Sequence, residues 1–209
     1  MGKIYTAMGL MSGTSLDGVD VSIIESDGNR EFSSILDRYF EYDKELIQKI
    51  LNIREKITDS DKLNEYLNEI KDLERKITIF HSKVVMETTR KNFVDVIGFH
   101  GQTIYHNSKE KISKQLGDGK LLSQLTKKKV VYNFRQNDIE NGGQGAPLTP
   151  IFHNLLANKI KKNFSLAFPI NFLNIGGIAN ITTTVDWNNL SKKNKLNAYD
   201  IGPGNCLID

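Results

Sequence analysis

Five polar, glycine-rich segments hold the side chains that can do chemistry in this chain of 209 residues. The first, residues 9–20, has Gly13, which lets the backbone turn and approach a ligand closely. Its backbone N–H groups and hydroxyls can donate hydrogen bonds to phosphate oxygens. The hydroxyls belong to Ser12, Thr14 and Ser15. Asp17 or Asp20 can hold Mg²⁺, directly or through water. A phosphate-binding loop and a simple polar hairpin both fit the segment, which is not a Walker A loop because it lacks Gly-Lys-Ser/Thr.

The second segment, residues 98–103, places His100 and Gln102 at the predicted end of a strand. Strand ends are where α/β proteins commonly bind ligands. A histidine, an amide and a threonine beside a glycine suit hydrogen bonding to a hydroxylated ligand. A purely structural histidine is an equal alternative.

The third segment, residues 134–147, contains Arg135 and then a glycine-rich loop with Gln144. The guanidinium can pair with a ligand carboxylate or phosphate, or with Asp138 in a structural loop. Pro147, followed by an apolar run, suits the start of a helix. A helix that begins there with its N-terminus at a ligand cleft favours anions.

The last two segments are residues 174–180 and 200–205. The Gly176-Gly177 pair predicts a tight turn between two strands and suits a second phosphate-binding hairpin. Asp200 lies at a predicted strand end before a glycine turn, which suits a general base. Helix capping by Asp200 is an equal alternative.

Hydrophobic periodicity predicts the elements that position these segments. Strands are expected at residues 4–10, 19–25, 33–40, 95–99, 130–134, 172–175, 179–184 and 196–200. Helices are expected at residues 44–53, 63–84, 119–126 and 152–160. Three strands open the chain and three more follow residue 172, so the order indicates two lobes built on one plan. It predicts an α/β, actin-like ATPase (ribonuclease H-like) fold. Residues 1–165 would form a complete first lobe, and residues 166–209 only the opening strands of the second.

Composition narrows the function classes. Charged residues make up 25% of the chain and the net charge is +3, with short, scattered lysine clusters. We interpret these as solvated surface, so no nucleic-acid partner is expected. Cys206 is the one cysteine, which fits a reducing compartment. No segment approaches the ~18 apolar residues of a membrane helix or forms a signal peptide, so we expect a cytoplasmic protein without a membrane partner.

Taken in order, the five segments resemble the anhydro-N-acetylmuramic acid kinase family. The motifs are GLMSGTSLDGVD (residues 9–20), GFHGQT (98–103), FRQNDIENGGQGAPLTPIFH (134–153), LNIGGIANIT (173–182) and DIGPGN (200–205). Each motif alone is weak, but the ordered set is highly specific.

The resemblance implies an enzyme of peptidoglycan recycling. Members open the 1,6-anhydro ring of anhydro-N-acetylmuramic acid with water and phosphorylate O6 from ATP, giving N-acetylmuramic acid 6-phosphate. Phosphoryl transfer from ATP implies Mg²⁺. The catalytic carboxylate of the family matches Asp200. Our own candidates for the sugar contacts, by inference from their place at the cleft, are His100, Gln102, Arg135 and Gln144. The ATP segment matches Gly13, Thr14, Ser15, Leu16, Asp17, Gly18, Val19 and Asp20.

Two departures qualify the resemblance. Members often have a second arginine after the position of Arg135, whereas Gln136 and Asn137 follow here. The second lobe of the family, with its adenine-binding segment, continues well past Asp209. We therefore expect the 209 residues to be a fragment with little activity alone, and residues after Leu173 to be loose. The full-length protein is expected to be able to form a homodimer. Another actin-fold phosphotransferase or phosphatase, and a non-enzymatic half-kinase, are the alternatives.

Overall fold

The computed structural model describes residues 3–13, 15–189 and 196–205, apart from the side chains of residues 162 and 189. Contacts divide the chain into two compact units, which we call unit 1 (Met1–Gly145) and unit 2 (Ala146–Asp209). The division lies before the helix at Pro150–Phe164, so that helix groups with the strands that follow it. The lobe boundary expected after residue 165 stays a prediction.

Unit 1 is an α/β structure with one mixed sheet. Its strands are β1 (Tyr5–Ser12), β2 (Gly18–Ser26), β3 (Phe32–Glu41), β4 (Val96–Asn107), β5 (Ile112–Leu116) and β6 (Lys129–Tyr132). Its helices are α1 (Lys44–Lys56), α2 (Ser60–Glu65), α3 (Leu67–Thr88), α4 (Gly119–Thr126) and α5 (Phe134–Glu140).

The sheet of unit 1 combines an antiparallel meander with parallel strands. β2 pairs antiparallel with β1 and with β3, and β4 pairs parallel with β1. The first half of β4 pairs parallel with β6, and its second half pairs antiparallel with β5. Because β1, β4 and β6 run in the same direction, their carboxyl ends lie at the same edge of the sheet.

The hydrophobic pattern explains the core of unit 1. In β2, Val19, Val21 and Ile23 are buried and alternate with exposed residues, as a strand with one packed face requires. In α3, Ile70 and Ile77 are buried at helical spacing. These residues belong to one apolar cluster, to which α1 and α4 add Ile50 and Leu122.

Three features of unit 1 differ from the sequence predictions. The helix expected at residues 63–84 is two helices, α2 and α3, separated at Tyr66, and Asp59 caps the first with its carboxylate. β4 continues to Asn107 and pairs with β5, a strand that we did not predict because it is short and polar. α5 was expected to be part of a strand and a loop.

Unit 2 is a small sheet with one helix. Helix α6 spans Pro150–Phe164, and strands β7 (Asn171–Ile175), β8 (Ile178–Thr183) and β9 (Asn197–Pro203) form an antiparallel sheet in that order. A short 3₁₀ turn covers Trp187–Asn189. Pro150 is the first residue of α6, so the expectation that a helix starts at Pro147 was wrong.

The two faces of the sheet in unit 2 are unlike. His153 of α6 stacks on Phe172, with ring centroids 4.8 Å apart, and its Nδ1 lies 2.9 Å from the hydroxyl of Thr182. On the opposite face, Leu173, Ile175 and Tyr199 are 56%, 57% and 51% exposed.

Within the described residues of both units, no helix is long and apolar enough to cross a membrane.

Candidate functional site

Three of the five predicted segments meet at the carboxyl edge of the parallel strands in unit 1. The loop after β1 begins at Gly13, His100 and Gln102 lie within β4, and Arg135 lies in α5, just after β6. Two direct hydrogen bonds link them. Gln102 Nε2 donates to the carbonyl oxygen of Gly13 at 2.8 Å, and Arg135 Nε donates to His100 Nε2 at 2.8 Å. Segments far apart in the sequence therefore form one connected site.

The loop between β1 and β2 presents polar groups outward and apolar groups inward. Ser15 and Asp17 are exposed, and the Ser15 hydroxyl donates to Asp17 Oδ1 at 2.6 Å. Leu16 and Val19 are buried in the core, so only their backbone can face a ligand. Thr14 lies outside the described residues. Gly18 lies so close to Phe40 and Tyr39 that a Cβ would overlap both residues.

Negative charge concentrates at this loop. Partial burial, and then the nearby charge of Asp17, raise the pKa of Asp20. Burial, followed by the charges of Asp17, Glu41 and Asp20, raises the pKa of Tyr39. Two neighbouring carboxylates repel each other and also repel a phosphate, so a bound cation would stabilise both kinds of group.

A fully connected polar chain lies beneath the loop. Ser12, the last residue of β1, has its hydroxyl oxygen 2.8 Å from the Tyr42 hydroxyl and 3.1 Å from His81 Nε2. All three side chains are buried. The expectation that the Ser12 hydroxyl donates to phosphate was therefore wrong, because the core uses both its proton and its oxygen.

His100 is neutral in this site. Its Nδ1 donates to the carbonyl oxygen of Gly101 at 2.6 Å, so Nε2 has the lone pair that accepts from Arg135. Burial, and then the charge of Arg135, lower the pKa of His100 to about 4. The histidine is thus an anchor for the guanidinium, with both ring nitrogens engaged.

Gly101 lies between His100 and Gln102, whose side chains contact different parts of the site. Its φ is 74°, in the left-handed region, and a Cβ there would overlap the carbonyl oxygen of Leu116. The pairing register of β1 and β4 shifts at this point. His100 therefore reaches Arg135, while Gln102 is buried against Gly13. The Oε1 atom of Gln102 is buried with no hydrogen-bond partner among the described residues.

Arg135 and Asp138 both hold the glycine-rich loop. Arg135 Nη1 donates to the carbonyl oxygen of Gly145 at 2.8 Å, and Gly145 N–H donates to Asp138 Oδ2 at 2.8 Å. The alternative in which Arg135 pairs with Asp138 was wrong, since each contacts Gly145 instead. Burial lowers the pKa of Arg135. Gln144, the residue before Gly145, is exposed and lies beside this anchor.

A cavity of about 320 Å³ adjoins His100. Its other walls come from the first half of α3, from β5, from the N-terminus of α4 and from the end of β6. The lining includes Glu74, Lys114, Asp118, Lys120 and Tyr132. Lys114 and Glu74 form an ion pair of 2.6 Å across part of it.

Asp200 lies in β9 of unit 2 and is exposed. The strand register places it beside Asn180, which in turn lies beside Asn174. Residues in register share a face of the sheet, so the three polar side chains form a row across the strands. Asp200 is a strand residue, so the alternative in which it caps a helix was wrong.

Two turns interlock near this row. Gly204 N–H donates to the carbonyl oxygen of Gly177 at 2.9 Å, and Asn205 N–H donates to that of Gly176 at 2.7 Å. A Cβ on Gly204 would overlap the Gly176 oxygen. The backbone of one motif therefore packs directly against the backbone of another.

The loop residues can hold a nucleotide with its magnesium. Mg²⁺ bound to a nucleotide needs only one or two protein carboxylates, because phosphate oxygens and water complete its shell. Asp17 and Asp20 are the two carboxylates of this loop that could supply them. No cluster of three or more acidic, histidine or cysteine side chains that could hold a metal by itself occurs in residues 3–13, 15–189 and 196–205.

Sequence reasoning missed Tyr39, Tyr42 and His81, which shape the loop from below and beside. His81 lies on the apolar stripe of α3, where a lone histidine is most simply interpreted as core. Tyr42 directly follows β3. None of these three residues lies in a motif. Only the tertiary contacts bring them to the site.

The family model of anhydro-N-acetylmuramic acid kinases matches residues 5–209. The anhydro-N-acetylmuramic acid kinase of Pelagibacter ubique (strain HTCC1062) is 57% identical over 100% of this chain and 54% of its own length. Those of Agrobacterium fabrum and Rhodopseudomonas palustris are each 39% identical, over 100% and 99% of this chain and 55% of their own lengths. The chain thus spans about half the length of the curated relatives it matches.

Proposed function

Because the chain belongs to the anhydro-N-acetylmuramic acid kinase family, we propose that the full-length protein is an ATP-dependent kinase. It opens 1,6-anhydro-N-acetylmuramic acid with water and phosphorylates O6, giving N-acetylmuramic acid 6-phosphate for peptidoglycan recycling. One observation carries the proposal: three motif segments of unit 1 converge at one edge of the sheet and are linked by the Gln102–Gly13 and Arg135–His100 hydrogen bonds.

The loop after β1 is the proposed site of the ATP phosphates. Gly13 and Ser15 offer backbone N–H groups and a hydroxyl, and Asp17 and Asp20 would hold Mg²⁺ against the phosphates. Partial burial, and then the charge of Asp17, raise the pKa of Asp20, and a bound cation would offset both effects, which supports this role. Bound Mg²⁺ neutralises charge that develops during phosphoryl transfer.

Arg135 is the proposed partner of the lactyl carboxylate of the sugar. It is a half-buried cation whose described contacts are the neutral His100 ring and the Gly145 carbonyl. A guanidinium without a protein carboxylate retains its charge for an anionic ligand. His100, Gln102 and Gln144 would complete the sugar contacts, with His100 and Gln102 acting mainly by fixing Arg135 and the loop.

Asp200 is the proposed general base. Its carboxylate would take a proton from water as the water oxygen adds to the anomeric carbon, and the bond from that carbon to O6 breaks. O6 then attacks the γ-phosphorus, and ADP leaves. The exposure of Asp200, and its place beside Asn180 and Asn174, support a role at a surface that receives substrate.

An actin-like ATPase fold is part of the proposal. The strand order β3-β2-β1-β4-β6, with an antiparallel meander and then two parallel strands, supports it for unit 1. The meander β7-β8-β9 supports an opening of the same kind in unit 2. A cytoplasmic location and a homodimer remain predictions.

The test is turnover by the full-length protein with ATP, Mg²⁺ and the anhydro sugar, following ADP and sugar phosphate by mass. Asp200→Asn should lower kcat by about 10²- to 10⁴-fold, the usual contribution of a general base. Asp186→Asn is the matched control, because Asp186 pairs with Lys161 away from the row of Asp200. The 209-residue chain alone should show little turnover. ATP hydrolysis at the same rate with and without the anhydro sugar would point to another actin-fold phosphotransferase.

A further inference from the structure

The hydrogen bonds beneath the β1–β2 loop have a single direction. His81 Nδ1 lies 2.8 Å from the carbonyl oxygen of Ile77, which can only accept, so Nδ1 has the proton. Burial lowers the pKa of His81 to about 4, so the ring is neutral and Nε2 accepts. The Ser12 hydroxyl therefore donates to Nε2, and its oxygen accepts from the Tyr42 hydroxyl.

This chain of hydrogen bonds fixes both ends of the loop. At the start, Ser12 is held by His81 and Tyr42, and the next residue, Gly13, is held by Gln102. At the other end, Tyr42 N–H donates to the carbonyl oxygen of Asp17 at 2.9 Å. Tyr42 thus holds both ends of the loop, through its side chain at Ser12, the residue just before the loop, and through its backbone at Asp17.

Aromatic packing holds the two outer members rigidly. The His81 ring lies edge-on to Phe99 with centroids 4.9 Å apart, and Tyr42 lies edge-on to Phe80 at the same distance. Both side chains are almost completely buried, at 0% and 2% exposure, so neither can touch a nucleotide. Apolar side chains could fill this space equally well. The hydrogen bonds from His81 and Tyr42 to Ser12 also fix the orientation of Ser12, which apolar packing would not do.

We propose that His81 is a positioning residue for nucleotide binding. Through Ser12, and together with Tyr42, it holds the backbone of Gly13 and of residues 15–17 in the shape that receives the phosphates of ATP. The inference rests on the proposed function and extends it, because neither His81 nor Tyr42 lies in any of the five motifs.

The test compares the KM for ATP, the KM for the sugar and the calorimetric Kd for Mg·ATP in the full-length protein. His81→Leu should raise the KM and Kd for ATP about tenfold or more, since small misplacements in a site can cost up to ~100-fold. The KM for the sugar should stay within about twofold, because this arm of the site is unchanged. His81→Gln retains an acceptor for Ser12 and should recover most of the loss.

Tyr42→Phe and Ser12→Ala test the route of the effect with milder changes. Tyr42→Phe keeps the ring and the backbone bond to Asp17, and should raise the KM for ATP less than His81→Leu. In a Ser12→Ala background Tyr42→Phe should have no further effect, since the bond passes through Ser12. If His81→Leu fails to fold, this pair decides the question.

Thr88→Val is the matched control. Thr88 is buried on the same helix and donates to the Val84 carbonyl far from the loop, so its loss should lower Tm alone. A His81→Leu protein that, like Thr88→Val, loses only Tm would overturn the inference. A wild-type protein that binds Mg·ATP but turns over no sugar would overturn the proposed function alone, and one that binds no Mg·ATP would overturn both.

Discussion

Units 1 and 2 use their sheets in different ways. The sheet of unit 1 contributes to a continuous buried apolar cluster with its helices, and the proposed nucleotide loop rests directly on that cluster through Leu16 and Val19. The sheet of unit 2 packs on α6, while Leu173 and Ile175 on its other face are more than half exposed. The proposed phosphate site is therefore supported by a buried core, whereas the proposed base, Asp200, lies on a three-stranded sheet with one exposed face.

Two probes can report on the units separately. Trp187, the one tryptophan of the chain, lies in unit 2, so its fluorescence follows that unit. Most helical residues lie in unit 1, so far-UV circular dichroism follows mainly unit 1. Urea unfolding followed by both probes gives a midpoint and a free energy of unfolding for each unit.

The largest expected difference comes from one substitution made in each unit. Ile97→Ala removes a fully buried side chain from β4 and should lower the free energy of unfolding of unit 1 by about 2–5 kcal/mol. Ile175→Ala, at an exposed strand position, should change that of unit 2 by about 0.5 kcal/mol or less. Equal losses in the two units would break the comparison.

Acid should weaken unit 1 more than unit 2. His81 and His100 have folded-state pKa values of about 4, below the ordinary 6.5, so the unfolded chain binds more protons between these values. The contribution of these two histidines to the free energy of unfolding is therefore fully present above about pH 7. It is lost as pH falls toward 4, by on the order of 2–3 kcal/mol for each histidine.

Urea midpoints from circular dichroism at pH 7 and pH 5 test this effect, and His81→Gln should remove the share of His81. In unit 2, burial also lowers the pKa of His153, but this ring is less buried, so the Trp187 midpoint should move less. An identical shift at both probes would show that the two units unfold together.

A smaller effect should be confined to unit 2. Asn154 of α6 is buried, and its Oδ1 accepts from Val185 N–H at 2.7 Å. Asn154→Ala leaves that N–H unpaired and should lower the free energy of unfolding of unit 2 by about 1–3 kcal/mol. The Trp187 midpoint should fall while the circular dichroism midpoint of unit 1 does not. Asn163→Ala, at an exposed site on the same helix, should change neither probe.

Strong local periodicity made much of the fold predictable. The opening meander, α1, α4 and the three strands of unit 2 were expected within a few residues of where they lie. The break between α2 and α3 was missed because the apolar stripe continues through Tyr66. β5 and α5 were missed because polar residues such as Gln136, whose Oε1 accepts from Ser113 N–H at 3.0 Å, stabilise them through tertiary contacts.

The site was predictable where a motif marks it. The family resemblance drawn from the five motifs is confirmed, and His100 and Arg135 proved to be direct partners. The buried support of the loop was not predictable, because His81 and Tyr42 have ordinary neighbours in the sequence. The roles of Asp200 and of the sugar contacts remain predictions.

The interlocked turns limit how this protein can diversify. Gly204 meets Gly176 through backbone atoms, so a lineage that replaces Gly204 cannot compensate by resizing a side chain in the other turn. Variation near Asp200 must then pass through neighbours whose side chains have room, such as Asn174 and Asn180. A library that tests the proposed sugar site of the full-length protein should randomise these two asparagines and leave Gly204 unchanged.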